Sequence, residues 1–510
     1  MDKIVALAKR KGFIYPSSEI YGGINGCWDY GPLGNALKRN IKEAWWKDMV
    51  SGHNETLILD GAPKNFQMVG QDASIIMNQR VWEASGHVGG FSDPMTDCKE
   101  TKARYRADQL FFFSINLKDK NIFEFFLASP SQAESPSTEE LLSFHEKLYK
   151  KAIKQHGNDI SVSIENVSLE DPKVREKILA PNASKPGTLT SPKSFNLMFK
   201  TFVGASEDSS SVAYLRPETA QGIFVNFKNV CDSTRVRLPF GIAQIGKAFR
   251  NEINPRNFTF RSREFEQMEI EFFCKPDEAQ DWYVYWRNRR YQWYLNYGLS
   301  PDRLYLRDHE KDELAHYADA CSDVEYDFPF GRSELEGIAN RKDYDLSKHS
   351  EFSKKDLTYF DDTEGSENKR YIPYVIEPSA GADRATLAFL CDAYYEEEIK
   401  GEMRTVLRFD PRIAPIKAGI FPLVKKDGMP EMAKSIYSEL IKKYACEYDE
   451  KGAIGRRYRR QDEIGTPFCI TIDGDSLKDN TVTIRDRDTL EQKRVAVEEL
   501  QGLIEAALDQ

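Results

Sequence analysis

The order of apolar and polar positions predicts an alternation of helices and short strands along the chain. GPLGNALKRNIKEAWWKDMV (31–50) repeats apolar residues at helical spacing after a Gly-Pro turn, which predicts an amphipathic helix. NETLILDGAP (54–63) is a short apolar run that we interpret as a strand ended by its proline. Residues 235–273 predict two strands joined by a loop, and the aromatic-rich residues 276–300 predict a helix.

Two polar stretches interrupt this pattern. Residues 113–180 begin rich in Ser and Pro and continue as a charged helical pattern, so we interpret them as an insertion. Residues 340–370 are polar and predict an excursion from the surrounding domain. After it, residues 371–398 predict a strand, a Gly turn and a helix. From residue 409 onwards strands and helices alternate, which predicts a separate α/β domain with a partly parallel sheet.

Composition narrows the class of protein. The 510 residues are 40% hydrophobic and 30% charged, enough for two to four domains with substantial cores. No apolar run reaches the length of a membrane span, so we expect none. The eight cysteines are scattered without a C-x-x-C pair, which predicts no recognisable zinc cage and a reduced, cytoplasmic protein. A formal net charge of -10 argues against a general nucleic-acid coat but leaves room for a local basic patch.

One arginine-rich stretch stands out against this acidic background, FRNEINPRNFTFRSREFEQMEIEFF (249–273). In its second strand, period-two geometry predicts a core face of Met268, Ile270 and Phe272. The other face carries Gln267, Glu269 and Glu271, together with Phe265 and Phe273, and presents its amide and carboxylates toward something polar. Arg250 on the first strand and Arg261 and Arg263 at the start of the second could bring three guanidiniums together on one anionic group. A planar guanidinium binds phosphate or carboxylate through two hydrogen bonds. Exposed cross-strand ion pairs explain the same residues about as well.

Two further segments favour a binding site. YLRPETAQGIFVNF (214–227) places Glu218 beside a proline and a small-residue stretch. EPSAGADR (377–384) is a strand end, a Gly turn and a helix start, with Arg384 in the first helical turn, where free N–H groups add positive potential. Either segment alone fits a structural turn better, but the three segments together in one chain indicate a site.

In this order the segments resemble the motifs of class II aminoacyl-tRNA synthetases, and in detail the dimeric glycyl-tRNA synthetases. GPLGNALKRNIKEAWW with the run to Pro63 resembles their first motif, which forms the dimer interface; FRNE…FRSREFEQME resembles the second and EPSAGADR the third. WEASGHVGGFSDP (82–94), RYRADQL (104–110), GTLTSPKSFNLMF (187–199) and ELEGIANRKDYDL (334–346) resemble stretches of the glycyl enzymes. The C-terminal GRRYRRQDEIGTPFCITID and VTIRDRDT resemble their anticodon-binding domain.

The resemblance implies an α+β fold: a catalytic domain with an antiparallel sheet flanked by helices (1–112 and 181–408), the insertion and the excursion, and an α/β anticodon-binding domain (409–510). It implies ligation of glycine to tRNA(Gly) through a glycyl-adenylate, with ATP and Mg²⁺, in a cytoplasmic homodimer. RADQL carries Gln109 where the family is expected to have histidine, and Ser262 replaces a common threonine.

The resemblance also assigns residues, with Arg250, Glu252 and Arg384 as the catalytic ones. Arg250 would clamp the α-phosphate, Phe265 would stack on adenine, and Glu334 or Glu252 would help to hold Mg²⁺. The implied ATP-binding residues are Arg250, Asn251, Glu252, Phe260, Arg261, Ser262, Arg263, Glu264, Phe265, Glu334, Leu335, Gly381, Ala382, Asp383 and Arg384. The implied glycine-binding residues are Arg106, Glu218, Phe265, Glu266, Gln267, Met268, Glu269, Glu377, Pro378, Ser379, Ala380 and Gly381.

A second basic cluster lies in the C-terminal domain and contains Arg456, Arg457, Arg459 and Arg460. By composition it fits a solvated turn slightly better, but the resemblance favours tRNA phosphate contacts. Three other functions stay open on sequence: a synthetase for another small amino acid, an inactive relative that binds nucleic acid, and a phosphate-binding regulatory protein. Glycine-dependent ATP–pyrophosphate exchange distinguishes them.

Overall fold

The computed structural model describes residues 1–509 except 119, 132–135, 158, 206, 209, 210, 316, 317, 363–368 and 400. The chain forms two compact units. One contains Met1–Ser85 and the chain from Phe199 onwards, and the other is Gly86–Met198. The predicted insertion 113–180 lies inside the second unit, which extends beyond it at both ends.

A seven-stranded sheet is the centre of the first unit. Its strands are β1 (Gln67–Gly70), β2 (Phe240–Phe249), β3 (Glu264–Cys274), β4 (Leu304–Asp308), β5 (Ala320–Phe328), β6 (Gly331–Lys342) and β7 (Tyr374–Gly381). They lie in the order β4-β5-β6-β7-β3-β2-β1, and all neighbours are antiparallel except β1 and β2. The prediction of two strands joined by a loop within 235–273 is confirmed by the pairing of β2 with β3.

Helices cover the sheet: α1 (Pro32–Trp46), α2 (Ala220–Thr234), α3 (Ala279–Asn296), α4 (Tyr344–Ser353) and α5 (Ala382–Ala393). Both the amphipathic helix predicted in 31–50 and the aromatic helix predicted in 276–300 are confirmed by α1 and α3. The apolar face of β3 packs with them, since Met268, Ile270 and Phe272 are fully buried in one core cluster with Trp45 and Trp282. This core fixes the position of β3.

The strand predicted in 54–63 is wrong. Its residues form turns, with Leu57 N–H donating to the Asn54 carbonyl and Ala62 N–H to the Leu59 carbonyl. Leu57 is 54% exposed and Ile58 is 65% exposed, so no sheet neighbour covers this apolar run within the described chain.

The polar segment 340–370 is more ordered than an excursion implies. Its first part completes β6 and forms α4, which buries Asp345, Leu346 and His349. Leu346 packs in a core cluster with Ile223 and Phe224 of α2. Residues 363–368 lie outside the described residues.

The C-terminal part has its own five-stranded sheet and core. The strands are β8 (Ala418–Pro422), β9 (Cys446–Tyr448), β10 (Phe468–Ile472), β11 (Thr481–Asp486) and β12 (Gln492–Ala496), in the order β9-β8-β10-β11-β12. The first three are parallel and the last two join antiparallel, as the sequence predicts. The helices are α6 (Met429–Leu440), α7 (Ile454–Asp462), Ser476–Asp479 and α8 (Leu500–Leu508).

The second unit contains two sheets of its own. One pairs Ser92–Asp97 with Arg104–Arg106 and Lys193–Asn196; the other contains Leu110–Leu117, Lys120–Asn121, Phe126–Pro130, Ile160–Glu165 and Ile178–Leu179. Its helices are His87–Gly90, Thr138–Leu142, Glu146–His156 and Pro172–Arg175.

The remaining elements of the first unit are helices or short strand pairs outside the central sheet. They are Asp2–Lys11, Ile14–Pro16, Trp28–Tyr30, Gln79–Ala84, Lys200–Phe202, Val212–Tyr214, Tyr359–Phe360, Arg370–Tyr371, Tyr394–Ile399 and Glu402–Leu407. None of the helices in the described part of the chain has the length and apolar character needed to cross a membrane.

Candidate active site

A cavity of about 470 Å³ opens on the polar face of the central sheet. Residues of β3, β5, β6 and β7, the loop after β2 and the start of α5 line it. The predicted site residues among them are Arg250, Glu252, Phe260, Arg261, Ser262, Phe265, Gln267, Glu334, Glu377, Ser379, Gly381, Asp383 and Arg384. Segments far apart in sequence therefore meet in one cavity.

Three arginines reach this cavity from separate elements. Arg250 follows β2; its Nε donates to the Pro217 carbonyl (3.1 Å) and its guanidinium lies 5.4 Å from the centre of the Phe265 ring. Arg384 stands in the first turn of α5, 4.5 Å from the Phe260 ring centre. Arg261 is the third. A phosphate chain is the kind of ligand that such a set of guanidiniums binds.

Arg263 does not join them. Its guanidinium donates to the backbone carbonyls of Glu252 and Asn25, so it fastens the loop between β2 and β3. The predicted convergence of three arginines at the second motif is therefore wrong for Arg263, and Arg384 supplies the third guanidinium.

One row of residues crosses three strands, and two of its members, Ser379 and Gly337, line the cavity. Glu269 of β3 pairs with Ser379 of β7, and Ser379 pairs with Gly337 of β6. The Ser379 hydroxyl donates to Glu269 Oε1 (2.6 Å), and Thr219 donates to the other carboxylate oxygen. Across the strands the row therefore presents the Glu269 carboxyl, the small Ser379 hydroxyl and Gly337, which has no side chain. Such a row suits a small cationic group.

A polar network behind this row joins β6, which carries Arg341, to α4, which carries Asp345. Arg341 makes a two-point ion pair with Asp345 and donates to Glu377 Oε2 (2.6 Å). Gln221 of α2 donates to both Asp345 (3.0 Å) and Glu218 (2.9 Å). The segment that the sequence analysis treated as an excursion thus holds two of the predicted glycine-binding acids in place.

Burial raises the pKa of the carboxyl groups on and beside this row. Burial raises the pKa of Glu377 to about 8, although the Arg341 guanidinium opposes it. Burial and the neighbouring Glu218 raise the pKa of Glu269, and burial raises that of Glu271 still further. The Glu271 carboxyl is fully buried, and neither of its oxygens has a hydrogen-bond partner among the described residues. Burial favours the neutral form of these carboxyl groups, and an ammonium ion beside them would favour the ionised form.

Two predicted residues do structural work beside the cavity. Asp383 accepts from Tyr30 (2.6 Å) and Lys38 (2.8 Å) and from the backbone N–H of Glu266 (2.7 Å). Glu266 pairs with Lys38 and Lys42, each at 2.8 Å. Burial alone would raise the pKa of Glu266, but the two ammonium groups outweigh it and lower the pKa to about 2. This cluster joins α1, β3 and α5.

The remaining predicted residues of the first unit are not among those that line the cavity. Glu264 is exposed and pairs with Lys247 (2.7 Å), Asn251 is partly buried after β2, and Glu218 is held by Gln221. The others are buried in the sheet and helix packing: Met268, Leu335, Pro378, Ala380 and Ala382. Arg106 belongs to the second unit, where it pairs with Asp93 and Asp108.

A group that the sequence analysis missed lies in the cavity wall. His309, Cys321 and Asp323 line it, and His309 Nε2 is 2.8 Å from Asp323 Oδ2. Burial, together with the Glu334 carboxylate, raises the pKa of Asp323 to about 6. The spacing of Cys321 and Asp323, two residues apart, indicated that their side chains share one face of a strand. Their proximity to His309 follows only from the pairing of β4 with β5.

The C-terminal arginines divide into two groups. Arg457 is buried, and its guanidinium donates to the carbonyls of Pro422 (2.6 Å) and Gly452 (3.1 Å). Arg459 pairs with Glu402 (3.4 Å), whereas Arg456 and Arg460 are exposed, Arg460 beside Asp449. The four side chains therefore do not form one surface for phosphate.

A mainly antiparallel sheet that carries arginines into a nucleotide-sized cavity, followed by a mixed α/β part with its own sheet and core, defines a class II aminoacyl-tRNA synthetase. Residues 202–395 match the family model of the tRNA synthetase class II core domain (G, H, P, S and T), and residues 417–507 match the anticodon binding domain. At 53% identity over 100% of this chain and 99% of the relative, the chain is similar to the glycine–tRNA ligase of Rhodopirellula baltica. The chain belongs to the glycine–tRNA ligase family.

Other comparisons agree. The glycine–tRNA ligase of Acetivibrio thermocellus is 52% identical over 100% of this chain and 98% of its own. The fold is similar to the prolyl-tRNA synthetase of Cryptosporidium parvum crystallised with halofuginone and AMPPNP, with a TM-score of 0.58 and 12% identity over 99% of this chain and 75% of that one. The fold class expected from the sequence is thereby confirmed.

Proposed function

We propose that this chain attaches glycine to the 3′ end of tRNA(Gly) in two steps, using ATP and releasing AMP and pyrophosphate. The observation that carries the proposal is a single cavity lined both by the guanidiniums of Arg250, Arg261 and Arg384 and by Ser379 and Gly337, whose strands place Glu269 in the same row. ATP would bind at the guanidiniums and glycine at the row.

In the first step an oxygen of the glycine carboxylate attacks the α-phosphorus of ATP. The bond to the bridging oxygen breaks, and its electrons leave with pyrophosphate, so glycyl-adenylate forms. No side-chain nucleophile is required, because the substrate supplies it. Arg250 at the α-phosphate and Arg384 nearer the γ-phosphate stabilise the developing charge by position and electrostatics.

Mg²⁺ enters as part of the nucleotide substrate. Such ions usually take one or two protein carboxylates together with phosphate oxygens. Glu252 and Glu334 both line the cavity, and the Arg384 guanidinium keeps the pKa of Glu334 low, so its carboxylate is ionised. These two residues fit the role, and the ion would neutralise phosphate charge.

Glycine recognition rests on the carboxyl groups on and beside this row. The ammonium group would lie at Glu377, which lines the cavity, with Glu269 and Glu218 close by; burial, and after it the charges of these two neighbours, raises the pKa of Glu377. Ser379 occupies the space that a larger amino-acid side chain needs. In the second step the terminal ribose hydroxyl of tRNA attacks the adenylate carbonyl and AMP leaves.

We also propose that two copies associate through exposed apolar residues of the segments 17–26 and 54–63. Ile20 is 88% exposed and Tyr21 is 87% exposed, and Leu57 and Ile58 are also more than half exposed. A homodimer would cover them. Replacing Leu57 and Ile58 together by Asp should halve the mass measured by sedimentation; an unchanged mass would place the contact elsewhere.

The proposed compartment is the cytoplasm. All eight cysteines are free thiols, which suits a reducing environment.

Glycine-dependent ATP–pyrophosphate exchange tests the function. Exchange that requires glycine, and is weak with alanine or serine, supports the proposal. Exchange with another amino acid would identify a different synthetase, and nucleotide binding without exchange would favour a regulatory or accessory protein. Transfer of labelled glycine to tRNA(Gly) then tests the second step.

A further inference from the structure

The group of His309, Cys321 and Asp323 has the chemistry of a transition-metal site. One ligand atom from each residue lies within 4.8 Å of the other two. Tetrahedral Zn²⁺ with bonds of 2.0–2.3 Å keeps its ligands roughly 3.3–3.8 Å apart, so a closure of about 1 Å suffices. A mixed imidazole, thiolate and carboxylate set is one that zinc accepts and magnesium does not favour.

The scaffold that presents these side chains is rigid. Cys321 and Asp323 are two residues apart on β5 and therefore point to the same face. The chain leaves β4 at Asp308, and the next residue, His309, donates its N–H to the Cys321 carbonyl (2.9 Å). All three positions are thus set by the β4–β5 ladder, and such preorganisation favours ion binding.

Space for an ion lies directly in front of the group. On β6, Ala339 stands opposite Cys321 and Gly337 opposite Asp323. A Cβ atom added to Gly337 would lie 3.7 Å from Asp323 Oδ1 and 4.0 Å from Glu334 Oε1. Two carboxylates therefore face the same small space, which opens into the nucleotide cavity. An ion there keeps one coordination position free for water or a substrate oxygen.

We propose that His309, Cys321 and Asp323 form a three-ligand site for a divalent ion of the zinc type, and that the bound ion inhibits the enzyme. Binding replaces the hydrogen bond between His309 and Asp323 with two metal bonds, and the proton of that hydrogen bond moves to Nδ1 of the neutral imidazole. The thiol proton of Cys321 is released to solvent as the thiolate binds the ion. The ion then lies beside Glu334, the partner of Arg384. Its open position captures an anionic group away from the arginines, so the phosphates of MgATP are misplaced. Binding itself does not depend on the proposed function, whereas inhibition does.

Co²⁺ is the probe that tests binding, because thiolate coordination gives an intense charge-transfer band. The full-length protein, reduced and freed of metal, should develop this band at one Co²⁺ per chain, and Zn²⁺ should abolish it. Cys321→Ser should remove the band, and His309→Ala should weaken Co²⁺ binding by roughly ten-fold or more. Cys231→Ser, at another partly buried cysteine, is the matched control and should keep the band.

Thermal unfolding of each variant checks that it is folded. If Cys321→Ser is unstable, the Co²⁺ affinities of His309→Gln and Asp323→Asn test the site instead, and both variants should bind Co²⁺ more weakly than the wild type. A band that survives Cys321→Ser, the absence of a band in the wild type, or Mg²⁺ displacing Co²⁺ at equal concentration would each overturn the site.

Inhibition is measured separately, as the ratio of each protein's exchange rate without and with Zn²⁺. The wild type should lose at least ten-fold in rate, and His309→Ala should lose much less relative to its own metal-free rate. A wild type that binds Co²⁺ through Cys321 but keeps its rate with Zn²⁺ would overturn inhibition alone. A metal-free wild type without exchange would instead contradict the proposed function, and the cobalt result would still stand.

Discussion

Arg384 and Glu334, which both line the nucleotide cavity, form an ion pair of 3.2 Å. Arg384 Nε also donates to the Phe260 carbonyl (3.2 Å), and its guanidinium lies against the Phe260 ring. A partly exposed guanidinium held on three sides is positioned for phosphate before the nucleotide arrives. The ion pair therefore holds Arg384, in the first turn of α5, where the proposed function requires a positive charge for the ATP phosphates.

Replacing Arg384 by Ala should lower the rate constant of glycine-dependent exchange by roughly 10²–10³-fold, since one preorganised charge donor is lost. Arg332→Ala is the matched control: it lies on β6 with Glu334, and its side chain is 46% exposed beside Asp327. Removal of such a surface pair has little energetic effect. Equal losses in the two variants would show that Arg384 has no special part in the reaction.

Ser379→Gly should admit alanine, because it removes the side chain between Glu269 and Gly337. Discrimination between glycine and alanine should fall by about 10–200-fold, the usual value of one methyl group in a pocket. Alanine-dependent exchange measures it. Ser379→Ala is the control, since it removes the hydroxyl but keeps Cβ and should still reject alanine. If alanine-dependent exchange by the glycine variant stays at background, Ser379 does not fill the pocket.

Glu266→Gln should destabilise the protein near neutral pH, by about 3 kcal/mol, because the pKa falls from ~4.3 to about 2 on folding. A lowered folded pKa gives stability that is complete above the unfolded pKa and is lost as the pH falls through the folded one. The difference in unfolding midpoint between wild type and variant should therefore shrink between pH ~4.3 and about 2. Glu264→Gln, on the same strand but exposed, should change little at any pH; a constant difference for Glu266→Gln would refute the two-lysine explanation.

Arg456→Ala and Arg457→Ala should have different effects. Exposed Arg456 is free to approach tRNA phosphate, so its loss should reduce the slope of log affinity against log salt by about 1. Buried Arg457 holds backbone carbonyls, so its loss should lower the unfolding midpoint. Filter binding over a salt series and thermal unfolding measure the two effects. An unchanged slope for Arg456→Ala would remove it from the tRNA surface.

Local patterning predicted the elements of the site well. Period two in 264–274 correctly placed Met268, Ile270 and Phe272 in the core. The opposite face meets two environments, since Gln267 lines the cavity whereas Phe273 packs in another core cluster. The strand in 54–63 failed, since its apolar residues face outward instead of a neighbouring strand.

Side-chain direction was much harder to predict. Arg263 and Arg457 have the same charge as Arg261 and Arg456, yet their guanidiniums bind backbone carbonyls. Asp345 is buried because Arg341 and Gln221 converge on it from two other elements. Such contacts join residues that are far apart in the sequence, so the local composition around each residue does not predict them.

The row Glu269–Ser379–Gly337 is built on three hydrogen-bonded strands, without a contribution from a loop. Its width is consequently set by strand spacing, ~4.8 Å per step, and rearranging the backbone would mean breaking the ladder. A change of amino-acid substrate is therefore expected to come from substitutions of side chains on these strands, with the backbone unchanged. Engineering of a new specificity should begin with substitutions at the positions of this row.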